Sequence, residues 1–296
     1  MNKRNFHALL NCLLLFSIIA MISFSCAAKK PFWGDEKSGY ILSYHPLPGA
    51  VWSYEQKADQ KTNMEQMGQN IETINKTYLR YSIQNQGADK EGNLRATVMV
   101  DSISVEANAM GREIRPDLSG FIGKSFTLIF TKHGKELEMP GADSITVDFG
   151  MMAGGKQSIK TFFRNVLSDL PDTPVKIGES WTKQDTTDLT QSGLKIQVLS
   201  ETTNTLEGVE KMLNFDCLKI ATKSKASLQG SGQQMGADLN FEGEMEGTGI
   251  WYFAFKEGLT VKANLDNFME GTIVVSGPAN MSMPINQESR IEIVLK

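Results

Sequence analysis

The chain is poor in the residues that usually carry chemistry. It has three histidines and three cysteines in 296 residues, and His7 belongs to an N-terminal leader, which leaves His45 in a Pro-flanked loop and His133 in a turn. No His-Glu-x-x-His, no paired cysteine spacing and no Gly-x-Ser-x-Gly is present, so the common frames for a catalytic zinc, a structural zinc and a serine nucleophile are missing. Gly123-Lys124-Ser125 ends like a phosphate loop, but Leu118 stands where the first glycine is required. Basic clusters are equally scarce. None is longer than Lys223-Ser224-Lys225 in a chain of pI about 5.6, which argues against nucleic acid and against electrostatic docking on anionic lipid. No cofactor and no metal is expected. Glu242, Glu244 and Glu246 lie about 7 Å apart along one strand face; they read as a solvated acidic face, with weak Ca²⁺ binding as the alternative. Met151-Met152 and Met281-Ser282-Met283 read as adaptable apolar lining rather than copper ligands.

Long apolar runs are also absent, with one exception. Ala8 to Ile22 is almost wholly apolar, follows Lys3 and Arg4, and at about 15 residues is short of the roughly 20 needed to span a bilayer. Residues 1–25 therefore read as a secretory signal peptide. Ser23-Phe24-Ser25-Cys26 resembles a lipoprotein box, which makes Cys26 the expected lipidation site, although Ser23 replaces the usual Leu. Cleavage after Ala28 to give a soluble secreted chain is the alternative. Removing residues 1–25 takes two cations and no acid, so the net charge moves from −4 to −6. Cys217, in an alternating run, reads as a buried small hydrophobe.

What the sequence has in abundance is two-residue alternation, the signature of half-buried strands. Thr77 to Ile83, Leu94 to Val105 and Phe126 to Phe130 alternate in the first part, with a parity shift after Val100 that predicts a bulge. From Leu239 to Leu295 nearly every apolar residue is odd-numbered, which predicts hairpin-linked antiparallel strands with one buried face. Seventeen residues from 259 to 275 would span about 55 Å, so the sheet must curve or the strand must break. Gly243, Gly247, Gly249 and Gly271 fall on the apolar face, where they permit bending and leave space; Gly247-Thr248-Gly249 is alternatively a turn.

One helical period interrupts this pattern. Ile159, Phe162, Phe163, Val166, Leu167 and Leu170 fall at i, i+3, i+4, i+7, i+8 and i+11, which predicts an amphipathic α-helix over 156–170 ended by Pro171. Two segments flank it with a shared plan. Pro48-Gly49-Ala50-Val51-Trp52 matches Ile177-Gly178-Glu179-Ser180-Trp181, and the Phe126, Leu128, Phe130 strand matches Trp251, Phe253, Phe255, which suggests two diverged β copies. The expected organisation is a signal peptide (1–25), a linker (26–48), a first β half (49–150), the helix and a Pro-rich connection (151–176), and a second β half (177–296).

Leu170-Pro171, Val175 to Trp181, Gly247-Thr248-Gly249 and Phe253 to Gly258 resemble an uncharacterised family of bacterial secreted or envelope lipoproteins. In outline such proteins are similar to half-barrel lipoprotein carriers, in which a strongly curved antiparallel sheet holds acyl chains. The resemblance implies a mainly β, half-barrel-like fold and assigns no residue a role. The expected function is a non-enzymatic lipoprotein, anchored by its N-terminal lipid on the periplasmic side of the outer membrane. It would bind a lipid-like ligand in a cavity lined by Phe162, Phe163, Val166, Leu239, Phe241, Met245, Trp251 and Phe253. A scaffolding lipoprotein with no cavity and an unknown protein partner is the second expectation, and a carboxylate-based hydrolase the third.

Overall fold

The computed structural model describes residues 32–109, 111–148, 156–163, 166–191, 194–234, 237–277 and 280–296. The expected signal peptide, residues 1–25, and Cys26 lie outside the described residues. Sixteen strands are present among those described. Short ones are β1 (Gly34–Asp35), β2 (Gly39–Tyr40), β6 (Arg112–Ile114), β7 (Ser125–Phe130), β8 (Glu136–Glu138), β9 (Thr146–Asp148) and β10 (Lys156–Ser158). Long ones are β3 (Val51–Gln66), β4 (Gln69–Ala88), β5 (Leu94–Ala109), β11 (Ser180–Gln191), β12 (Leu194–Met212), β13 (Phe215–Gln234), β14 (Ala237–Ala254), β15 (Leu259–Ser276) and β16 (Met281–Leu295).

Twelve of these form one open antiparallel sheet in the order β11-β12-β13-β14-β15-β16-β3-β4-β5-β7-β8, with β6 paired to β5. The last long strand thus lies beside the first, and Ile285 to Leu295 pair with Met64 to Tyr54. Tight hairpins set the register. Met67 and Gly68 (φ 52° and 74°) close β3 onto β4, and Leu213 and Asn214 (φ 48° and 69°) close β12 onto β13, the left-handed pair that matches strand twist. The bulge after Val100 is present: Arg80 pairs with Ser102 and Tyr81 with Val100, so Asp101 is the extra residue. Gly247-Thr248-Gly249 is not a turn but runs through the middle of β14.

The two Gly-x-x-Trp segments take matching positions. Gly49 donates to the carbonyl of Asn85 at 2.8 Å and Gly178 to that of Leu206 at 2.7 Å, while Asn85 and Leu206 donate back to Ala50 and Glu179. A register shift follows each partner, between Asn85 and Gly87 and between Leu206 and Gly208.

The main core fills one end of the sheet. Leu79, Tyr81, Val98 and Leu128 from one side meet Leu206, Ile220, Trp251 and Phe253 from the other, all buried in one cluster. Tyr44 stands between the two sides, edge-on to Phe130 at 5.8 Å and to Phe253 at 5.4 Å. Burial of this kind, about 1.5–3 kcal/mol per large side chain, anchors an irregular strap across the opening.

That strap corrects the predicted helix over 156–170. Lys156–Ser158 pair with Thr146–Asp148 as a small hairpin, and Ile159–Phe162 make a single 3₁₀ turn capped by the Ser158 hydroxyl. Beyond it the backbone amides go to tertiary partners. Val166 donates to Glu136 Oε1 at 3.0 Å, Ser168 to the Tyr44 hydroxyl at 2.9 Å and Leu170 to the His133 carbonyl at 2.9 Å. An α-helix would need those amides for its own ladder. The apolar stripe is still spent on the core, since Ile159, Phe163 and Leu170 are buried; Arg164 and Asn165 lie outside the described residues.

Candidate functional site

Trp181 on the edge strand β11 donates from Nε1 to the Asp169 carbonyl at 3.1 Å. Asp172 accepts from Lys183 of β11 at 2.7 Å and pairs with His133 of the β7–β8 turn. The strap therefore ties one sheet edge to the other. Its charges are tuned accordingly. Burial pushes the Asp169 carboxyl up, whereas the Lys183 ammonium holds Asp172 below its ordinary range. Beneath the strap, burial raises the Tyr44 phenol to about 12 and also raises Tyr54 and Tyr81.

The eight residues expected to line one cavity separate in the structure. Phe163, Trp251 and Phe253 are core residues, and Phe162 and Val166 pack against the same cluster. Phe163 meets Tyr81 at 5.0 Å and Phe126 at 5.1 Å, ring edge to ring face, so protein side chains occupy the space under the strap. Leu239 and Phe241 belong to a second cluster at the far end of the sheet. Met245, half-buried, lies between the two on β14.

Cross-strand registers show what surrounds this second group. One row in from Leu194, Gly232, Leu239, Val275 and Met281 at the far end, Leu189, Ile196, Gly230, Phe241, Ile273 and Met283 stand side by side on the core-side face. The next row is Val198, Leu228, Gly243, Gly271, Ile285, Met64 and Ile71. The third, Ser200, Ala226, Met245, Met269, Gln287, Thr62 and Thr73, is mixed. The fourth is polar throughout: Thr202, Ser224, Gly247, Asn267, Ser289, Gln60 and Asn75. After it the face becomes apolar again at Leu265 and Ile291 and merges with the core.

From β12 to β4 none of these four rows carries a charged residue; Asp185 and Lys183 enter only on β11. Charges occupy the opposite face, including Glu242, Glu244 and Glu246. Three open troughs of about 1290, 640 and 700 Å³ are lined largely by that charged face, with Phe268 exposed in two of them.

The apolar-face glycines are filled by protein. A methyl group at Gly230 would meet Ile196 Cγ1 at 2.9 Å, and one at Gly243 would meet Phe241 Cζ at 2.9 Å. The distal cluster draws only on residues of β11 to β16. Its members Met269, Ile273, Val275 and Ile285 are half-buried. Ile273, Val275 and Ile285 fall on the apolar side in the sequence pattern without being marked as ligand-lining; their signal is the series of odd positions from Leu239 to Ser289, uncharged except at the Glu257 turn.

Among the described residues no group of three or more His, Cys, Asp or Glu could hold a metal ion, and no helix is long and apolar enough to cross a membrane. Cys217 is buried and free, its thiol pushed up to about 12 chiefly by burial.

A model of a family of unknown function (DUF6263) matches residues 151–250. No curated protein matches the chain. Among solved structures, the chain is similar to one described by lipid–protein interactions in lipovitellin, with a TM-score of 0.52 and 10% identity over 85% of this chain; it spans 25% of that chain. At that identity the likeness is one of fold. Much lower TM-scores relate it to OccK2 of Pseudomonas aeruginosa (0.29, 7% identity, 84% of this chain and 99% of the other). For OmpT of Vibrio cholerae the score is 0.22, at 10% identity over 84% of this chain and 100% of the other.

Proposed function

We propose that the protein is a non-enzymatic carrier of an apolar, lipid-like ligand, held on the distal core-side face of the sheet rather than beneath the strap. The observation that carries this reading is the pair of uncharged apolar rows around Phe241, Ile273, Met283 and Ile285, separated from the main core by a polar belt. Contiguous apolar surface of this kind marks a binding site more often than a scattered residue does. Methionines at 64, 245, 269 and 283 give it the adaptability that acyl chains of varied length require. The fold likeness to lipovitellin, a protein described by its lipid–protein interactions, supports this reading. The apolar N-terminal segment and the lipoprotein-box resemblance at Cys26 support a carrier in the cell envelope, anchored through an N-terminal lipid. Cys26→Ser should move it from the membrane fraction to the soluble fraction.

Native mass spectrometry on protein purified gently from its host envelope, followed by solvent extraction, should recover a bound lipid. A pyrene-labelled alkane should bind the delipidated protein, and Met283→Glu should weaken that binding by tenfold or more, since it sets a charge among apolar groups. Ser282→Glu, on the opposite face, should leave it unchanged. An alkane that does not bind, or that binds both variants equally, removes the reading.

A further inference from the structure

The polar belt that borders the distal apolar rows is built from amides and hydroxyls alone, and its internal hydrogen bonds leave particular groups over. Gln60 Nε2 donates to Gln287 Oε1 at 2.9 Å, and the Thr62 hydroxyl donates to the same oxygen at 3.5 Å. Gln287 thereby spends its acceptor, and among the described residues no hydrogen bond engages its NH₂ group. Asn267 Nδ2 reaches Ser289 Oγ at 3.5 Å, which directs Asn267 Oδ1 elsewhere. That oxygen and Ser224 Oγ converge over Gly247, where a Cβ would collide with both. One free donor, on Gln287 of the mixed third row, and two oxygen atoms of the polar fourth row thus sit at the inner border of the apolar rows, spread from β13 to β16.

From these residues we infer that the belt recognises the uncharged polar part of the ligand, the ester and hydroxyl groups of an acylglycerol; the inference rests on the carrier reading above. The ester carbonyl would accept from the Gln287 NH₂, and a free hydroxyl would donate to Asn267 Oδ1. An anionic headgroup fits poorly. The cation nearest in the belt row is Lys183 on β11, already 2.7 Å from Asp172, and a carboxylate or phosphate placed against amides without a counter-charge loses its hydration uncompensated.

Three pyrene-labelled probes of equal chain length separate the two readings on the delipidated full chain at pH 8: an alkane, a monoacylglycerol and a free fatty acid. The monoacylglycerol should bind about tenfold more tightly than the alkane, the value of about one net hydrogen bond, and more tightly than the ionised fatty acid. Gln287→Leu should bring the monoacylglycerol to within about threefold of the alkane while leaving alkane binding intact, which shows that the variant is folded. If the wild type binds alkane and monoacylglycerol equally, or prefers the fatty acid, the headgroup inference falls and the carrier reading stands. If none of the three binds, both fall.

Discussion

The ring of Phe241 lies against Gly271: a methyl group added at Gly271 would stand 2.8 Å from Phe241 Cε2 and 2.6 Å from the carbonyl oxygen of Glu242. The glycine is therefore a seat for an aromatic ring on the next strand, a way of stiffening a sheet where a side chain is missing. Gly271→Ala should destabilise the protein by about 1–3 kcal/mol, the usual range for overpacking, because one clashing atom is backbone that the ladder holds in place. Gly208→Ala makes the control. Its Cβ meets nothing within 4 Å, so urea unfolding should move by no more than about 0.5 kcal/mol in the destabilising direction. Equal midpoints for the two variants would contradict the packing described.

Much of this was legible in the sequence, and the reasons differ from element to element. The strands from Leu239 to Leu295 and the bulge after Val100 were readable because alternation reports which face is buried and a one-residue slip inverts it. The helix over 156–170 was misread. Burial of Ile159, Phe163 and Leu170 at helical spacing satisfies an irregular strap equally well once Glu136, Tyr44 and His133 supply hydrogen bonds to its backbone. Those partners lie up to 124 residues away in sequence, beyond the reach of local periodicity. Of the residues expected to line a cavity, Leu239, Phe241 and Met245 sit on the distal face, whereas Phe163, Trp251 and Phe253 are core. On β14 the residues of both sets share one parity, and only the cross-strand register shows the polar row that divides them.

Asp169 should behave as a carboxyl that destabilises the fold when ionised. Burial raises its pKa above the ordinary value, so the folded state favours the proton and stability increases as pH falls through the folded pKa. Asp169→Asn keeps the backbone carbonyl that accepts from Trp181 Nε1. The variant should be more stable than the wild type at pH 7, with the gap closing on acidification below the folded pKa. Chemical denaturation at several pH values reads this directly, and a constant gap would show that the carboxyl is not desolvated in solution.

Cys217 offers a test of the core that needs no ligand. Its thiol, pushed up to about 12 and fully buried, leaves almost no thiolate at pH 8, and the thiolate is the reactive form. In a Cys12→Ser, Cys26→Ser background, Ellman's reagent should label the native protein no faster than it unfolds and should label one thiol at once in denaturing urea. Rapid labelling under native conditions would mean that β13 opens locally next to Asp216.

Glu55 and Lys296 make the clearest pH prediction. Lys296 Nζ lies 3.1 Å from Glu55 Oε2, and the Tyr78 hydroxyl donates to the same oxygen at 3.1 Å. Lys296 contributes most, and together with Tyr78 and Lys57 it lowers the Glu55 carboxyl from an ordinary 4.5 to about 2. A depressed carboxyl stabilises the fold above its unfolded pKa and loses that contribution as pH falls through the folded one. The wild type should therefore lose this contribution between about pH 4.5 and 2. Lys296→Met removes the leading cause, so the Glu55 titration followed by NMR should move back toward the ordinary carboxyl range and acid unfolding should begin at higher pH. The Tyr78 hydroxyl and Lys57 keep part of the shift in place. An unchanged titration in the variant would show that Lys296, which follows β16, is not held against β3 in solution.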